Sequence, residues 1–487
     1  MPFGVAACAL IAYVATLPPS YAFWDTGELQ TVSAIAGIAH PPSCPAFAIA
    51  GWLAVHLLPF GEPAWRVNAM CAAAMAASTG MLYAAIRSYG TDRAVASVCA
   101  LGFALSLGVW IDATRAEVHD VALLFRVVAL GFALRWNGGG TRADLLGVGI
   151  ASGLAQATHG ITLLLVPALA LLVFSRRAAF DGRALATLAA GVAAGLATYA
   201  YLPLRSAAVA SARIEPQLAL GLPPGAAFWN YDDPHTWPNF WRVVSAADFD
   251  VRSGFAGFFA GNAYGEYATA LATTVRRAYG SAGVAAAALG AALLVVRQPV
   301  RGIALVLAAV LPVPYTESYS EIQDPSRYYL LTLWCAALAI AIAVQTVLDR
   351  TAASAPSRAA ACVVLVVCFL TAAPDRSSVA AQRGDRAAAD YVADVERMTP
   401  GDAVVVADWA YATPLAYEAF VRHGFGHRIG LAASVTQYAD RYASWLRRRS
   451  LYLVSFSSHV TVPGFDVAAL NTGPYYVYRV RRHVASR

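Results

Sequence analysis

Long apolar runs separated by short polar breaks set the pattern of this chain. A helix that crosses a bilayer needs roughly 20 apolar residues, with a range of about 17 to 25. Runs that meet or approach this length lie at residues 3–19, 65–86, 94–110, 121–136, 145–157 and 161–174. Five more follow at residues 185–204, 282–296, 302–314, 328–347 and 359–373. They predict a polytopic α-helical membrane protein with about eleven transmembrane helices. The runs 145–157 and 161–174 are short and form a hairpin around His159-Gly160. A further apolar piece, residues 46–58, is bounded by Pro45 and Pro59 and predicts a re-entrant or interfacial helix. The pattern changes near residue 375. Residues 388–398 have helical periodicity, and 403–407 is a short apolar run between Gly401-Asp402 and Asp408, as in a buried strand. Another helix runs through 417–423, and further strands are expected at 451–456 and 475–480. The expected organisation is a transmembrane domain over residues 1–374 and a small α/β domain over 375–487. Two outer loops interrupt the transmembrane domain, a first one at 20–63 and a large one at 205–276.

Composition agrees with the membrane reading. Of 487 residues, 59% are apolar and 13% charged, with a mean hydropathy of +0.54. Soluble domains carry roughly 25% charged residues. The basic residues are all arginine, which together with abundant alanine points to a GC-rich, prokaryotic genome. The net charge of +6 is scattered over span ends and forms no stripe for nucleic acid. Of the cysteines, all but Cys44 lie in apolar runs, without metal-ligand spacing. The first apolar run lacks the basic flank of a signal peptide.

Arginine placement gives an orientation. Alternate short loops carry Arg87 and Arg93, Arg135 and Arg142, Arg176, Arg177 and Arg183, Arg297 and Arg301, and Arg350 and Arg358. The loops between them hold few, namely Arg66, Arg115 and Arg327. The rich side is expected to be cytoplasmic. The N-terminus then lies inside the cytoplasmic membrane and the domain from residue 375 outside it. Asp25, Glu28, His40, Glu117, His119, Glu321, Asp324 and the large loop share the outer face.

The outer loops hold the candidate chemistry. Asp25 and Glu28 are the first charges in the chain and follow the first apolar run directly. Carboxylates at the mouth of a span are functional candidates by default. The ordinary alternative is that Asp25 caps a helix beginning at Thr26. His40 precedes Pro41-Pro42, which hold the chain extended and fix its direction. Residues 228–241 of the large loop set aromatics beside acids and amides, including Phe228, Trp229 and Asp232. That mixture suits sugar rings or lipid headgroups, and equally an aromatic belt at the interface. His423 and His427 have metal-ligand spacing, but Gly424 and Gly426 argue against a helix between them.

These residues carry a family resemblance. Asp25-Thr26-Gly27-Glu28, Gly37-Ile38-Ala39-His40-Pro41-Pro42 and Pro63-Ala64-Trp65-Arg66-Val67-Asn68 resemble the opening signature of the DUF2723 family. That family is similar to the TMEM260-type protein O-mannosyltransferases. Softer matches follow at 116–119, 201–205, 231–236, 324–329 and 408–415. Ser43-Cys44-Pro45 stands where the family usually has Gly-Tyr-Pro, and His119 where tyrosine is common. The resemblance implies a GT-C fold. It implies a glycosyltransferase that moves a sugar, mannose as the family-based choice, from a polyprenyl-phosphate carrier to an acceptor on the outer face. The acceptor is a protein Ser/Thr, or else a cell-surface glycan or glycolipid. The catalytic carboxylate would be Asp25, with Glu28 second.

Elementary chemistry fits that expectation. An acceptor hydroxyl loses a proton as it attacks the sugar C1, and a nearby carboxylate takes it. The lipid phosphate leaves already ionised, so cations and hydrogen-bond donors suffice, with no cofactor and no metal. Arginine forks match phosphate oxygens. Arg66, Arg115, Arg205 and Arg327 are the outer-face candidates, with His40, unless they are snorkelling anchors. Glu117, His119, Trp229, Asp232 and Asp324 are candidate substrate contacts. The expected partners are the lipid-linked donor, the acceptor and the bilayer, with no nucleic acid. Two rival classes are a lipid-linked-sugar flippase and a non-catalytic scaffold. No internal repeat of the transporter kind is visible, and a scaffold does not explain the charges crowded into one loop.

Overall fold

The computed structural model describes residues 1–226, 229–319, 324–372 and 375–483. Phe228, Glu321 and the final four residues lie outside the described residues. Two compact units share the chain. The first comprises Met1–Leu17, Ala69–Tyr199 and Ala247–Arg383, and the second Pro18–Asn68, Ala200–Ala246 and Gly384–Arg487. The first outer loop and part of the large loop therefore fold with the C-terminal sheet.

Each apolar run of the sequence forms a helix, but the helices differ in reach. Six among the described residues are long and apolar enough to cross a membrane: Pro63–Ser88, Gly182–Ala212, Tyr264–Arg297, Pro299–Ser318, Pro325–Arg350 and Ala355–Ala372. The run 94–110 becomes two helices, Arg93–Ala104 and Leu107–Ala113, bent by 65°, which makes seven if the pair is one span. Pro2–Val14, Pro45–Leu57 and Gly160–Phe174 are apolar but shorter. The helix Arg142–Gln156 has 15 residues, and Val118–Asn137 carries Asp120, Arg126 and Arg135. At 1.5 Å per residue, the 13 residues of Pro2–Val14 reach about 20 Å, short of a hydrocarbon core of about 30 Å. The expected eleven spans are thus not recovered by length and apolarity.

The second unit is built on a five-stranded sheet in the order β2-β1-β3-β5-β4. The strands are β1 Val404–Ala407, β2 Ile429–Ala432, β3 Leu451–Ser455, β4 Phe465–Ala469 and β5 Tyr476–Arg482. β1 runs parallel to β2 and β3, and β5 is antiparallel to β3 and β4. β1 is buried along its whole length, as its unbroken Val-Val-Val-Ala sequence requires of a strand covered on both faces. Helices Ala387–Met398 and Trp409–Tyr417 cover one face through Tyr391, Val395 and Leu415. Helix Ala439–Trp445 covers the other through Tyr442 and Trp445.

The first outer loop is anchored in this unit by aromatic contacts. Tyr21 stacks on Tyr417 at 4.5 Å and its hydroxyl donates to Glu418 Oε2 at 2.9 Å. Phe23 meets Tyr391 and Tyr411, and Trp24 stacks on Phe456 at 5.7 Å. These rings fix where the following residues, Asp25 and Glu28, are presented.

Candidate active site

The helix Trp24–Ile35 begins at Trp24, with Phe23 as its N-cap and no side-chain cap. Asp25 therefore sits inside the first turn and does not cap a helix at Thr26. Trp24 is held at φ 59°, a left-handed conformation that is uncommon for a bulky residue and marks a constrained position. Gly27 is required by close approach: a Cβ there would collide with the Ala22 carbonyl and lie 2.9 Å from Thr413 Oγ1. Asp25 is half-buried, and Trp409 Nε1 donates to its Oδ1 at 2.9 Å. An anionic side chain in the first helical turn is also favoured by the helix dipole.

Glu28 lies one turn further and is fully buried. Its two oxygens grip His40: the His40 backbone N–H donates to Oε1 at 2.7 Å, and His40 Nδ1 lies 2.5 Å from Oε2. Burial pushes the Glu28 carboxyl above its ordinary range, and the His40 imidazole pulls part of the way back. The His40 side chain is 24% exposed, and its ring meets Trp409 edge-on at 5.6 Å. Asp25, Glu28, His40 and Trp409 thus form one cluster.

Loop 37–40 is held from the large loop. Ile38 N–H donates to Trp229 O at 2.6 Å, and Tyr231 N–H to Ile38 O at 3.3 Å. A Cβ on Gly37 would stand 2.8 Å from Trp229 O, so glycine lets the strands meet. Tyr201 Oη donates to Gly37 O at 2.9 Å.

The sheet explains why Trp409 is in reach. Strand order reverses between β1 and β3, and in open α/β sheets ligands bind outside the carboxyl ends of the strands at such a point. Asp408 and Trp409 follow β1 directly, and Ser455 at the end of β3 donates to Asp408 Oδ2 at 2.7 Å. Trp409 was not singled out from the sequence. Its signal is its position, two residues past the carboxyl end of a buried strand and inside a family-like block.

Other candidates are placed differently. Arg66 spends its guanidinium on carbonyls, with Nη1 donating to Val55 O at 2.5 Å and Nε to Gly61 O at 3.0 Å. Arg205 donates to Ala36 O at 2.7 Å and Ile35 O at 3.1 Å, closing the C-terminal end of the Trp24–Ile35 helix. Asp232 pairs with Arg242 at 3.3 Å. Trp229 is buried, with its ring 5.2 Å from Phe420.

A second group lies in the helical unit. Arg115 bridges Asp112 and Asp324, the latter at 2.9 Å, and Arg327 pairs with the buried Glu117 at 2.8 Å. Burial works to raise the Asp324 carboxyl, but Ser326 and Arg115 outweigh it and hold it below its ordinary value. His119 is buried and packs between His159 and Tyr328, at 4.3 and 4.5 Å between ring centroids. His159 was noted in sequence only as a hairpin residue.

Residues 25–181 match the family model of the Protein O-mannosyl-transferase TMEM260 N-terminal domain. The chain is 29% identical over 209 residues to the mouse Protein O-mannosyl-transferase TMEM260, a match covering 42% of this chain and 30% of the mouse protein. It is 28% identical over 131 residues to the Dictyostelium discoideum protein of that name, covering 26% of this chain and 16% of the other. The matches thus span less than a third of either relative. Among solved structures, ArnT from Cupriavidus metallidurans bound to undecaprenyl phosphate is similar with a TM-score of 0.58 at 12% identity, covering 98% of this chain and 97% of that one. The Archaeoglobus fulgidus oligosaccharyltransferase, in complex with Zn and sulfate, gives 0.52 at 15% identity, covering 93% and 67%. The fold is the GT-C membrane fold of these proteins. The family-model match begins at Asp25 and includes Glu28 and His40, while the resemblances at 201–205 and beyond lie outside it.

Asp25, Glu28 and His40 each offer one ligand atom within 4.8 Å of the others, which is the spacing of a cation site. The Glu28 carboxylate is already engaged by His40 through both of its oxygens. A metal bound through His40 Nδ1 would displace the hydrogen bond between that nitrogen and Glu28 Oε2.

Proposed function

We propose that this chain is a membrane glycosyltransferase that moves a sugar, mannose, from a polyprenyl-phosphate carrier to a Ser or Thr hydroxyl of a protein on the outer face of the cytoplasmic membrane. The observation that carries it is the half-exposed Asp25 carboxylate beside the locked Glu28–His40 pair, at the start of the segment that matches the O-mannosyltransferase family model. The neighbour solved with undecaprenyl phosphate supports a lipid-phosphate donor.

In the reaction, the acceptor oxygen forms a bond to the sugar C1 as the bond from C1 to the phosphate oxygen breaks. Attack opposite the leaving group inverts C1. Asp25 accepts the hydroxyl proton, and the electron pair leaves with the lipid phosphate. Trp409 Nε1 donates to Asp25 Oδ1 and orients the carboxylate. Glu28 fixes the orientation of the His40 ring, which is proposed as a donor-phosphate contact. The transfer is metal-independent, because a phosphate already ionised needs charge neutralisation and no Lewis acid. Arg115 and Arg327, in the helical unit, are kept as proposed donor-phosphate ligands from their charge and their place in the sequence.

The test is purified full-length protein with mannosyl phosphoryl polyprenol and a Ser/Thr acceptor peptide, with and without EDTA. Mannosyl peptide formed equally in both supports the reading. Product lost with EDTA and restored by a divalent cation assigns the Asp25, Glu28 and His40 group to a metal. Intact donor moved across vesicles without sugar transfer would establish the flippase instead.

A further inference from the structure

A cavity of about 360 Å³ opens in the sheet unit, on the face covered by the helix Trp409–Tyr417. That volume is within the usual range for ligand pockets, about 300–1,000 Å³. It exists because small residues stand where bulk would fill the space: Ala412 and Ala416 on the helix, and Gly430 and Ala432 on β2. Trp229 and Phe420 form an aromatic wall. Trp229 is 3% exposed, and its indole nitrogen is buried without a partner. Pro216 and Gln217, from the short turn Pro216–Leu220, line the opposite side.

β2 is the edge of the sheet. His427, Ile429 and Ala433 donate their backbone N–H groups inward, to Gly401, Ala403 and Ala407. In a parallel strand the alternate residues face the other way. The N–H and C=O groups of Gly430 and Ala432 therefore point to the open edge. Among the described residues no hydrogen bond is recorded to them. An open row of backbone donors and acceptors along a cavity is what an extended peptide pairs with. A sugar or a lipid tail has no complementary row.

The cavity is coupled to the candidate active site through shared elements. Trp409, which holds Asp25, opens the same helix on which Ala412 and Ala416 line the cavity, about 5 and 10 Å further along at 1.5 Å per residue. Trp229 lines the cavity and receives the Ile38 N–H of the loop that carries His40.

We infer that this cavity is the acceptor subsite, and that it binds an extended polypeptide segment by strand addition to the β2 edge, with a side chain seated against Trp229. The inference rests on the transferase reading for its meaning but has its own readout. The probe is a fluorescein-labelled ten-residue peptide of alternating Thr and Val, titrated by anisotropy into the full chain in nanodiscs. Gly430→Ala keeps the N–H, and its Cβ would meet its nearest neighbours at 3.8 and 3.9 Å, an ordinary contact. It should bind as the parent does. Gly430→Pro removes the outward N–H without breaking a ladder bond, which an edge strand tolerates. It should weaken binding at least tenfold. Ala416→Leu, which fills the cavity, should do the same.

A melting temperature equal to the parent's shows that each variant is folded. Absence of saturable peptide binding by the parent overturns the inference. So does equal binding by parent, Gly430→Pro and Ala416→Leu, or equal loss in Gly430→Ala and Gly430→Pro. Competition by mannotetraose at peptide-like affinity assigns the cavity to glycan and also overturns it. If the parent binds peptide but forms no mannosyl peptide from mannosyl phosphoryl polyprenol, the proposed function fails while the peptide subsite stands.

Discussion

Asp25 and Glu28 are one helical turn apart yet meet opposite surroundings. Asp25 is half-exposed with an indole donor on one oxygen, while Glu28 is fully buried with both oxygens on His40. Only the first is placed to take a proton from an incoming hydroxyl. Asp25→Asn keeps the acceptor oxygen for Trp409 but loses the base. Transfer should fall roughly 10²- to 10⁴-fold, the usual share of general-base catalysis, with thermal unfolding unchanged. Near-parental transfer by this variant would remove Asp25 from the mechanism. Glu28 has a signature in stability. Burial raises its carboxyl, so the folded chain binds the proton more tightly than the unfolded one. Its stabilisation is complete below the ordinary value of about 4.3 and is lost as pH rises through the raised value. Glu28→Gln should therefore flatten the fall in melting temperature from pH 4 upward. An unchanged slope would mean that the charge state of Glu28 is the same in both states. Arg327 tests a different point. Arg327→Ala leaves the buried Glu117 unpaired, which costs about 3 kcal/mol. Adding Glu117→Gln should restore much of the melting temperature. A donor KM that stays raised in the restored double variant supports phosphate binding, and a parental KM leaves Arg327 as an ion-pair partner alone.

The elements show what hydrophobic patterning reveals and what it hides. β1, β3 and β5 are readable because Val404–Ala407 and Leu451–Ser455 are largely apolar runs and Tyr476–Arg482 sets valine and tyrosine among arginines. β2 and β4 are not. β2 is four residues with glycine at its second position, and β4 is a short strand with no buried residue. The Asp25-Thr26-Gly27-Glu28 block was readable as chemistry, whereas its partner Trp409 lies 384 residues away and is brought in by the sheet. The arginines are expected as phosphate ligands from charge and position, with Arg327 and Arg205 ranked first because each sits in a family-like block. Sequence does not show carbonyls, and two of the four are spent on them. Arg205 is the sharper case, since its bonds to Ile35 and Ala36 close the helix that carries Asp25. Arg205→Ala should cost about 1–2 kcal/mol at its half-buried position, and lower kcat with little change in donor KM. A rise in donor KM at unchanged kcat and melting temperature would instead make it a phosphate ligand.

At the scale of the whole molecule, orientation depends on which loops share an end, and helix length does not decide that. In the helical unit the arginine-rich loops are tied to one another. Arg301 donates to Asn137 at 3.0 Å, Arg142 to Asp181 at 2.6 Å, Arg297 to Thr346 at 3.0 Å, and Asp92 N–H to Gln345 at 2.8 Å. The loops between them meet elsewhere in the same unit, through Arg115 with Asp324, Arg327 with Glu117, and His119 with His159 and Tyr328. The contacts group the arginine-rich loops with one another and the loops between them with one another, although some intervening helices are too short or too charged to meet a length rule. By the positive-inside rule the arginine-rich loops are expected in the cytoplasm. Alkaline phosphatase, active only outside the cytoplasm, should be active when fused after Arg487 and silent when fused after Gly139. β-Galactosidase fusions at the same two positions should give the opposite pattern. If both reporters invert, the site faces the cytoplasm, and a carrier presented on the outer face is the wrong donor. If both ends of the pair report the same side, the helices between them cross an even number of times and the alternation fails.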